Sequence, residues 1–165
     1  MRHDVVIWSS EPDSATSAEF AEFYKRRSTS AIGLAHLLTG SRAVGQDVAQ
    51  EAFVVVHAKW ATLTNPEAYL RTVVVNMSRS IQRRQIRERV HLGRTAVEAV
   101  TSIPAIDETW SVIKGLPHDQ RTVIVLRFYE DMALGEIASL LDKPLGTVKS
   151  TIHRALDRLK DTLHD

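Results

Sequence analysis

Three groups of polar side chains sit at spacings that allow recognition chemistry. In the stretch "ALGEIASLLDKPLGTVKSTIHRAL", residues 133–156, Lys149, Ser150, His153 and Arg154 fall within an arc of about 140° on a helical wheel. All four can donate hydrogen bonds to phosphate oxygens or base edges. Upstream, Asn76, Arg79, Arg83 and Arg87 lie within about 80° of one another by the same wheel. With Arg84 and Arg89 they bring five arginines into residues 79–89, against Glu88 alone. Such a stripe suits a phosphate backbone, because each contact releases counterions. Asn76 differs in kind, since asparagine is a poor helix former whose amide can pair with a base edge. The third group, Asp47, Gln50 and Glu51, stands at i, i+3 and i+4 and makes an acidic face. A DNA-facing surface should not be acidic. An acidic face beside a basic one therefore points to a protein partner on one side and nucleic acid on the other. Taken singly, each face also fits an ordinary solvated helix.

Catalysis has less to stand on. His3, His36, His57, His91, His118, His153 and His164 are scattered, with no close ligand pair and no glycine-rich phosphate loop. The chain has no cysteine, which excludes disulfides and thiolate-rich metal sites and fits a reducing compartment. We therefore expect no enzyme activity, no catalytic residue, no metal and no cofactor.

The elements that must position these groups read as helices. Apolar spacing predicts a helix from about Ser17 to Leu38, punctuated by Gly40, and a second from Ala43 to Trp60 with Val44, Val48, Ala52, Val55 and Val56 on one stripe. "ATLTNP" is a loop, and Pro66 opens a third helix to about Val90 with Leu70, Val73, Val74, Met77 and Ile81 inward. The β-branched runs "FVVVHA" and "TVVVN" lie inside helical spacing and are read as helix. Residues 91–107 lose charge density and period, and are read as a linker. A helix over Asp107–Lys114, a break at Gly115–Pro117 and a helix from His118 to Tyr129 then lead into the hairpin. Within the hairpin, Asp142 and Pro144 make the corner. Val148, Ile152, Ala155, Leu156, Leu159 and Leu163 form the core arc of the last helix.

The expected fold is all-α. Two helical domains, residues 17–90 and 108–165, are joined by a flexible linker, and the second is a helix-turn-helix domain. With 165 residues, 44% hydrophobic, 25% charged and a net charge of +1, the composition is that of an ordinary globular protein. Any case for nucleic acid rests on where the charges sit. No stretch has the apolar length of a signal peptide or a membrane span, so a cytoplasmic protein without membrane contact of its own is expected.

The segments "QDVAQEAFVVVHAKW", "PEAYLRTVVVNMSRSIQRR" and "LPHDQRTVIVLRFYEDMALGEIASLLDKPLGTVKSTIHRALDRLK", in this order, resemble a bacterial RNA polymerase sigma factor of the small extracytoplasmic-function class. The resemblance covers roughly residues 18–90 and 108–162. It implies that Asp47, Gln50, Glu51 and Phe53 dock on core RNA polymerase, on the coiled coil of its β′ subunit, with β the other partner subunit. It implies that Asn76, with the Ala61–Pro66 loop including Asn65, helps hold a flipped base of the minus-ten element on the melted non-template strand. Arg79, Arg83 and Arg84 would bind backbone nearby, and Lys149, Ser150, His153 and Arg154 would read the duplex minus-thirty-five element. It also implies a sequestering anti-sigma factor as partner. Tyr69 stands where many members carry Trp, Thr151 where many carry Arg, and Asp142 where the corner is commonly Gly. A stand-alone helix-turn-helix regulator is the alternative, and the first domain separates the two: such a regulator would need a dimer surface or ligand pocket there, and has no use for an acidic docking face.

Overall fold

Junction chemistry sets where each helix starts and stops. In the computed structural model, residues 14–92 and 104–164 are described, and among them stand seven α-helices and no strand: α1 Ser14–Thr39, α2 Arg42–Lys59, α3 Pro66–Leu92, α4 Pro104–Ile113, α5 His118–Ile124, α6 Leu134–Leu141 and α7 Leu145–His164. Gly40, at φ 78°, turns the chain out of α1, and its N–H donates to the His36 carbonyl at 2.7 Å. Ser41 then caps α2, its Oγ accepting from the Val44 N–H at 3.1 Å. The predicted linker falls mainly on residues 93–103, outside the described residues; its ends belong to α3 and α4. The β-branched runs are helical, and Val56, Val74 and Val75 from them are fully buried.

The first three helices pack as a bundle around Leu34, Leu37, Leu38, Val48, Ala52, Val56, Leu70 and Val74. One end is closed by an aromatic group. Phe53 meets Phe23 edge-on at 6.0 Å and Tyr24 at 4.7 Å, while Phe20 meets Trp60 at 5.3 Å. Phe53 is only 4% exposed. The expectation that Phe53 touches a partner is thereby corrected: its position on α2 turns it toward α1, away from the acidic face. A second difference lies on α3, where Val75, Ser78 and Gln82 are buried and Val73, Met77 and Ile81 only half-buried. The reason is polar. The Gln82 amide donates to the Leu38 carbonyl at the end of α1, so α3 turns this edge inward.

In the second half, α6 and α7 form the expected corner. Asp142 adopts the left-handed conformation at φ 51°, and the Lys143 N–H donates to the Ala138 carbonyl at 2.9 Å. Glu136 accepts from the Ala133 N–H at 2.8 Å and fixes the start of α6. The helix expected over His118–Tyr129 is α-helical only to Ile124. Val125–Tyr129 is a π-helical turn, closed by the Glu130 N–H on the Val125 carbonyl at 3.1 Å. On α7, Val148, Ile152 and Ala155 are buried as expected, but Leu156 and Leu163 are 36% and 72% exposed. With its 20 residues α7 outruns α5 and α6, which have 7 and 8, so its last turns lack a covering neighbour.

The two halves touch along α1. The Tyr129 hydroxyl donates to the Ser30 carbonyl at 3.3 Å, Arg71 Nε pairs with Glu130 Oε2 at 2.8 Å, and Arg121 Nη2 donates to the Leu38 carbonyl at 3.2 Å. Burial raises the Tyr129 phenol above its usual range, the neighbouring Glu130 carboxylate adds to this, and Arg27 opposes it, so the hydroxyl stays a donor at neutral pH. Because Phe53 is the hub of the aromatic group, Phe53→Ala should lower unfolding stability by about 3–5 kcal/mol, checked by denaturant unfolding.

Candidate nucleic-acid and protein interfaces

The N-terminal half of α7 is held by its own hydroxyls. Thr147 accepts from Ser150 Oγ at 3.0 Å and from Thr151 Oγ1 at 2.7 Å. Thr151 is 7% exposed, so it does not stand on the reading face. Instead its oxygen accepts from Arg154 Nη2 at 3.4 Å, while Arg154 Nε reaches the Ser150 carbonyl at 3.4 Å. Lys149, Ser150, His153 and Arg154 are all exposed on one side of the helix. His153 Nε2 lies 3.6 Å from Asp157 Oδ2, an exposed contact of little energetic weight. The arrangement offers a row of donors on a helix whose opposite face is buried, the geometry needed to enter a major groove.

On α3 the expected basic stripe is divided. Asn76, Arg83, Arg84 and Arg87 are exposed. Arg79 is half-buried, in a small crevice with Asp119, Thr122, Leu141, Lys143 and Thr151 of the second half. The side chain of Arg89 lies outside the described residues. Asn65 has a structural duty: its Oδ1 accepts from the Ala68 N–H at 3.1 Å and caps α3, with Pro66 in the first helical position. The loop it ends is anchored by Trp60 and Leu63, which pack on the core. Tyr69 lies beside this loop with Lys59 Nζ 5.6 Å from its ring centroid, a cation–π contact that the sequence did not signal.

On α2, Asp47, Gln50 and Glu51 are exposed together. The same face carries Val54, 69% exposed, three residues beyond Glu51 and seven beyond Asp47. An apolar residue on this acidic face was legible from that spacing, since Val54 falls outside the predicted core stripe of Val44, Val48, Ala52, Val55 and Val56. Among the described residues no group of His, Asp or Glu side chains converges as a metal site, and no helix is long and apolar enough to cross a membrane.

Comparison with known proteins gives a consistent result. Residues 112–161 match the family model of sigma-70, region 4. The chain is 33% identical over 135 residues to the RNA polymerase sigma-E factor of Streptomyces coelicolor, covering 74% of this chain and 73% of that protein. It is 34% identical over 130 residues to the RNA polymerase sigma-E factor of Streptomyces avermitilis, with the same coverages of 74% and 73%. The fold is similar to the sigma factor RpoE in its complex with the anti-sigma factor NepR from Bartonella quintana. The TM-score is 0.73 at 23% identity, over 88% of this chain and 97% of that one. It is also similar to CnrH in complex with the cytosolic domain of CnrY, with TM-score 0.64, 22% identity, and coverage of 92% and 93%.

The capping duty of Asn65 is separable from any contact it makes elsewhere. Asn65→Ala should cost about 1 kcal/mol in thermal unfolding, and Asn65→Ser, which keeps an acceptor, only a few tenths.

Proposed function

This chain belongs to the RNA polymerase sigma factors, of the extracytoplasmic-function type that directs transcription initiation, and on that premise we propose how its surfaces divide the work. The domain of residues 17–90 docks on core RNA polymerase through Asp47, Gln50 and Glu51, with Val54 in place of Phe53 as the apolar contact. The β′ subunit is the expected seat of that contact. The same domain then holds the non-template strand of the minus-ten element, Asn76 pairing with an unstacked base and Arg83 and Arg84 binding phosphates beside it. The domain of residues 108–165 reads the minus-thirty-five element from Lys149, Ser150, His153 and Arg154. No covalent bond is made or broken.

The observation that carries this division is the separation of charge on the first domain: the acidic row on α2 and the Asn76–Arg84 row on α3 are both exposed, on different helices. One row repels DNA and the other attracts it, so each fits a different partner. Arg79 sits apart from this row and is assigned to DNA only once the second domain has moved away from it. The solved structures to which the fold is similar are complexes with NepR and with the cytosolic domain of CnrY, which supports an anti-sigma protein as a further partner of this chain. The stand-alone regulator is not favoured, because similarity to sigma-E factors extends over 74% of the chain, far beyond the hairpin.

Two outcomes test the division. Asp47→Lys with Glu51→Lys should weaken capture by purified core polymerase about 100-fold, equivalent to about 3 kcal/mol, while leaving binding to minus-thirty-five duplex unchanged; unaltered capture would remove the acidic face from docking. Asn76→Ala should reduce permanganate reactivity of the melted minus-ten thymines in a promoter complex, with duplex binding retained; equal footprints would remove Asn76 from strand capture.

A further inference from the structure

Arg154 is exposed, yet its guanidinium is held along one edge. Nε donates to the Ser150 carbonyl and Nη2 to Thr151 Oγ1, both at 3.4 Å. Nη2 is the terminal nitrogen on the same edge as Nε, so a single edge of the planar group makes both contacts. Each contact is long and weak by itself, and the two matter because together they fix a direction. Among the described residues no ion pair engages Arg154, and Asp157, three residues on, is turned to His153 at 3.6 Å.

The support under Arg154 has a fixed polarity. Thr151 Oγ1 carries one proton, and that proton goes to the Thr147 carbonyl at 2.7 Å. Toward Arg154 the oxygen therefore offers lone pairs alone, the complement of a guanidinium. Thr151 is 7% exposed, and its bond to the carbonyl one turn back selects one of the two rotamers that a helical threonine adopts. Arg154 thus leans on a rigid acceptor. It is laid back toward the N-terminal half of α7, the direction that helical side chains favour, and its charge lies over the turn of Ser150 and Thr151.

Of the five N–H groups of a guanidinium, two are spent in this way on the helix itself. Two on Nη1 and one on Nη2 are left. They contain a single unspent pair of parallel donors, at the end of the group. Such a pair matches O6 and N7 of guanine on the major-groove edge, whereas adenine offers one acceptor and one donor there, thymine one acceptor and a methyl group, and cytosine a donor. We propose, resting on the reading of the upstream element given above, that Thr151 is a positioning residue: buried and touching no base, it makes Arg154 a reader of one guanine in that element. The competing use of Arg154, a contact to phosphate, carries no base preference and shows instead in the salt dependence of binding.

The test is a selection in which the full chain, bound to core polymerase, captures duplexes from a promoter library randomised over the upstream element. The wild type should prefer guanine at one position by about tenfold or more, and Arg154→Ala should erase that preference. Thr151→Val, which keeps the shape and removes the oxygen, should lower it about three- to tenfold at the same position, with preferences elsewhere unchanged. Thr151→Ser, which returns the oxygen, should come within about twofold of the wild type. Arg154→Ala combined with Thr151→Val should match Arg154→Ala alone, since one residue acts through the other. Should Thr151→Val not fold, Arg154→Lys keeps the charge without the paired donors and should also lose the guanine preference. A Thr151→Val protein that selects guanine as the wild type does, or that binds every sequence more weakly by one factor, would overturn the positioning role. Guanine preference retained by Arg154→Ala or Arg154→Lys would overturn it too, and a fall of about one in the salt slope of Arg154→Ala would mark a phosphate contact instead. All of these leave the upstream reading standing. A wild type that selects no upstream sequence at all would overturn that reading, and the role of Thr151 with it.

Discussion

The carbonyl oxygen of Leu38 is where the molecule is tied together. A helix end leaves carbonyls without intrahelical partners, and a buried one must find donors elsewhere. At the end of α1 the donors come from two distant places: the Gln82 amide of α3 and the guanidinium of Arg121 from α5. The first bond fixes how α3 lies on α1, and so which of its residues face out. The second fixes the second domain on the first. Both Asn76 and the buried Ser78–Gln82 edge follow from the first of these, because turning Gln82 inward sets the rotation of the whole helix. A single orphan acceptor thus orients the Asn76 face of α3 and holds the seam between the two halves.

Charge is distributed with the same economy. The net charge of +1 hides a strong local separation. Acidic groups occupy α2, arginines occupy α3, and the donors of α7 occupy the second domain, while the interior between them is apolar. Few of the cations are consumed by ion pairs in the described structure. Arg71 is paired with Glu130 and Arg26 with Glu67, whereas no ion pair engages Arg83, Arg84, Lys149 or Arg154. Their positive charge remains available to exchange counterions with a phosphate chain.

Much of this was legible in the sequence, and the limits are instructive. The hairpin corner could be read because Asp142 and Pro144 act locally, through backbone preferences that need no partner. The helical nature of the valine-rich runs could be read because period overrode propensity. The acidic row on α2 and the donors on α7 could be read because they share faces at helical spacing. Phe53 was misplaced because its neighbours Phe23 and Tyr24 come from another helix, thirty residues upstream, and spacing on α2 alone does not reveal them. The division of Arg79 from the rest of its stripe, and the buried edge at Ser78 and Gln82, depend on the second domain and on a helix end respectively. Leu156 and Leu163 looked like core because their wheel position is right, but the neighbours that would cover them are too short. The meaning of Gly33 is invisible in sequence, since a glycine inside a helix reads only as a weakness until the Tyr129 side chain that packs against it is seen.

The bond from Tyr129 to the Ser30 carbonyl also orders events during synthesis. Tyr129 emerges from the ribosome about 5–20 s after Ser30, at about 5–20 residues per second. For that interval α1, α2 and α3 have only one another, and the aromatic group of Phe20, Phe23, Phe53 and Trp60 gives them a core that asks nothing of the residues still to come. Residues 14–92 thus carry their own apolar core, with the acidic face of α2 exposed, while the α6–α7 hairpin is still being translated. The seam along α1, made by Arg121 and Tyr129, is the last joint in the molecule to set.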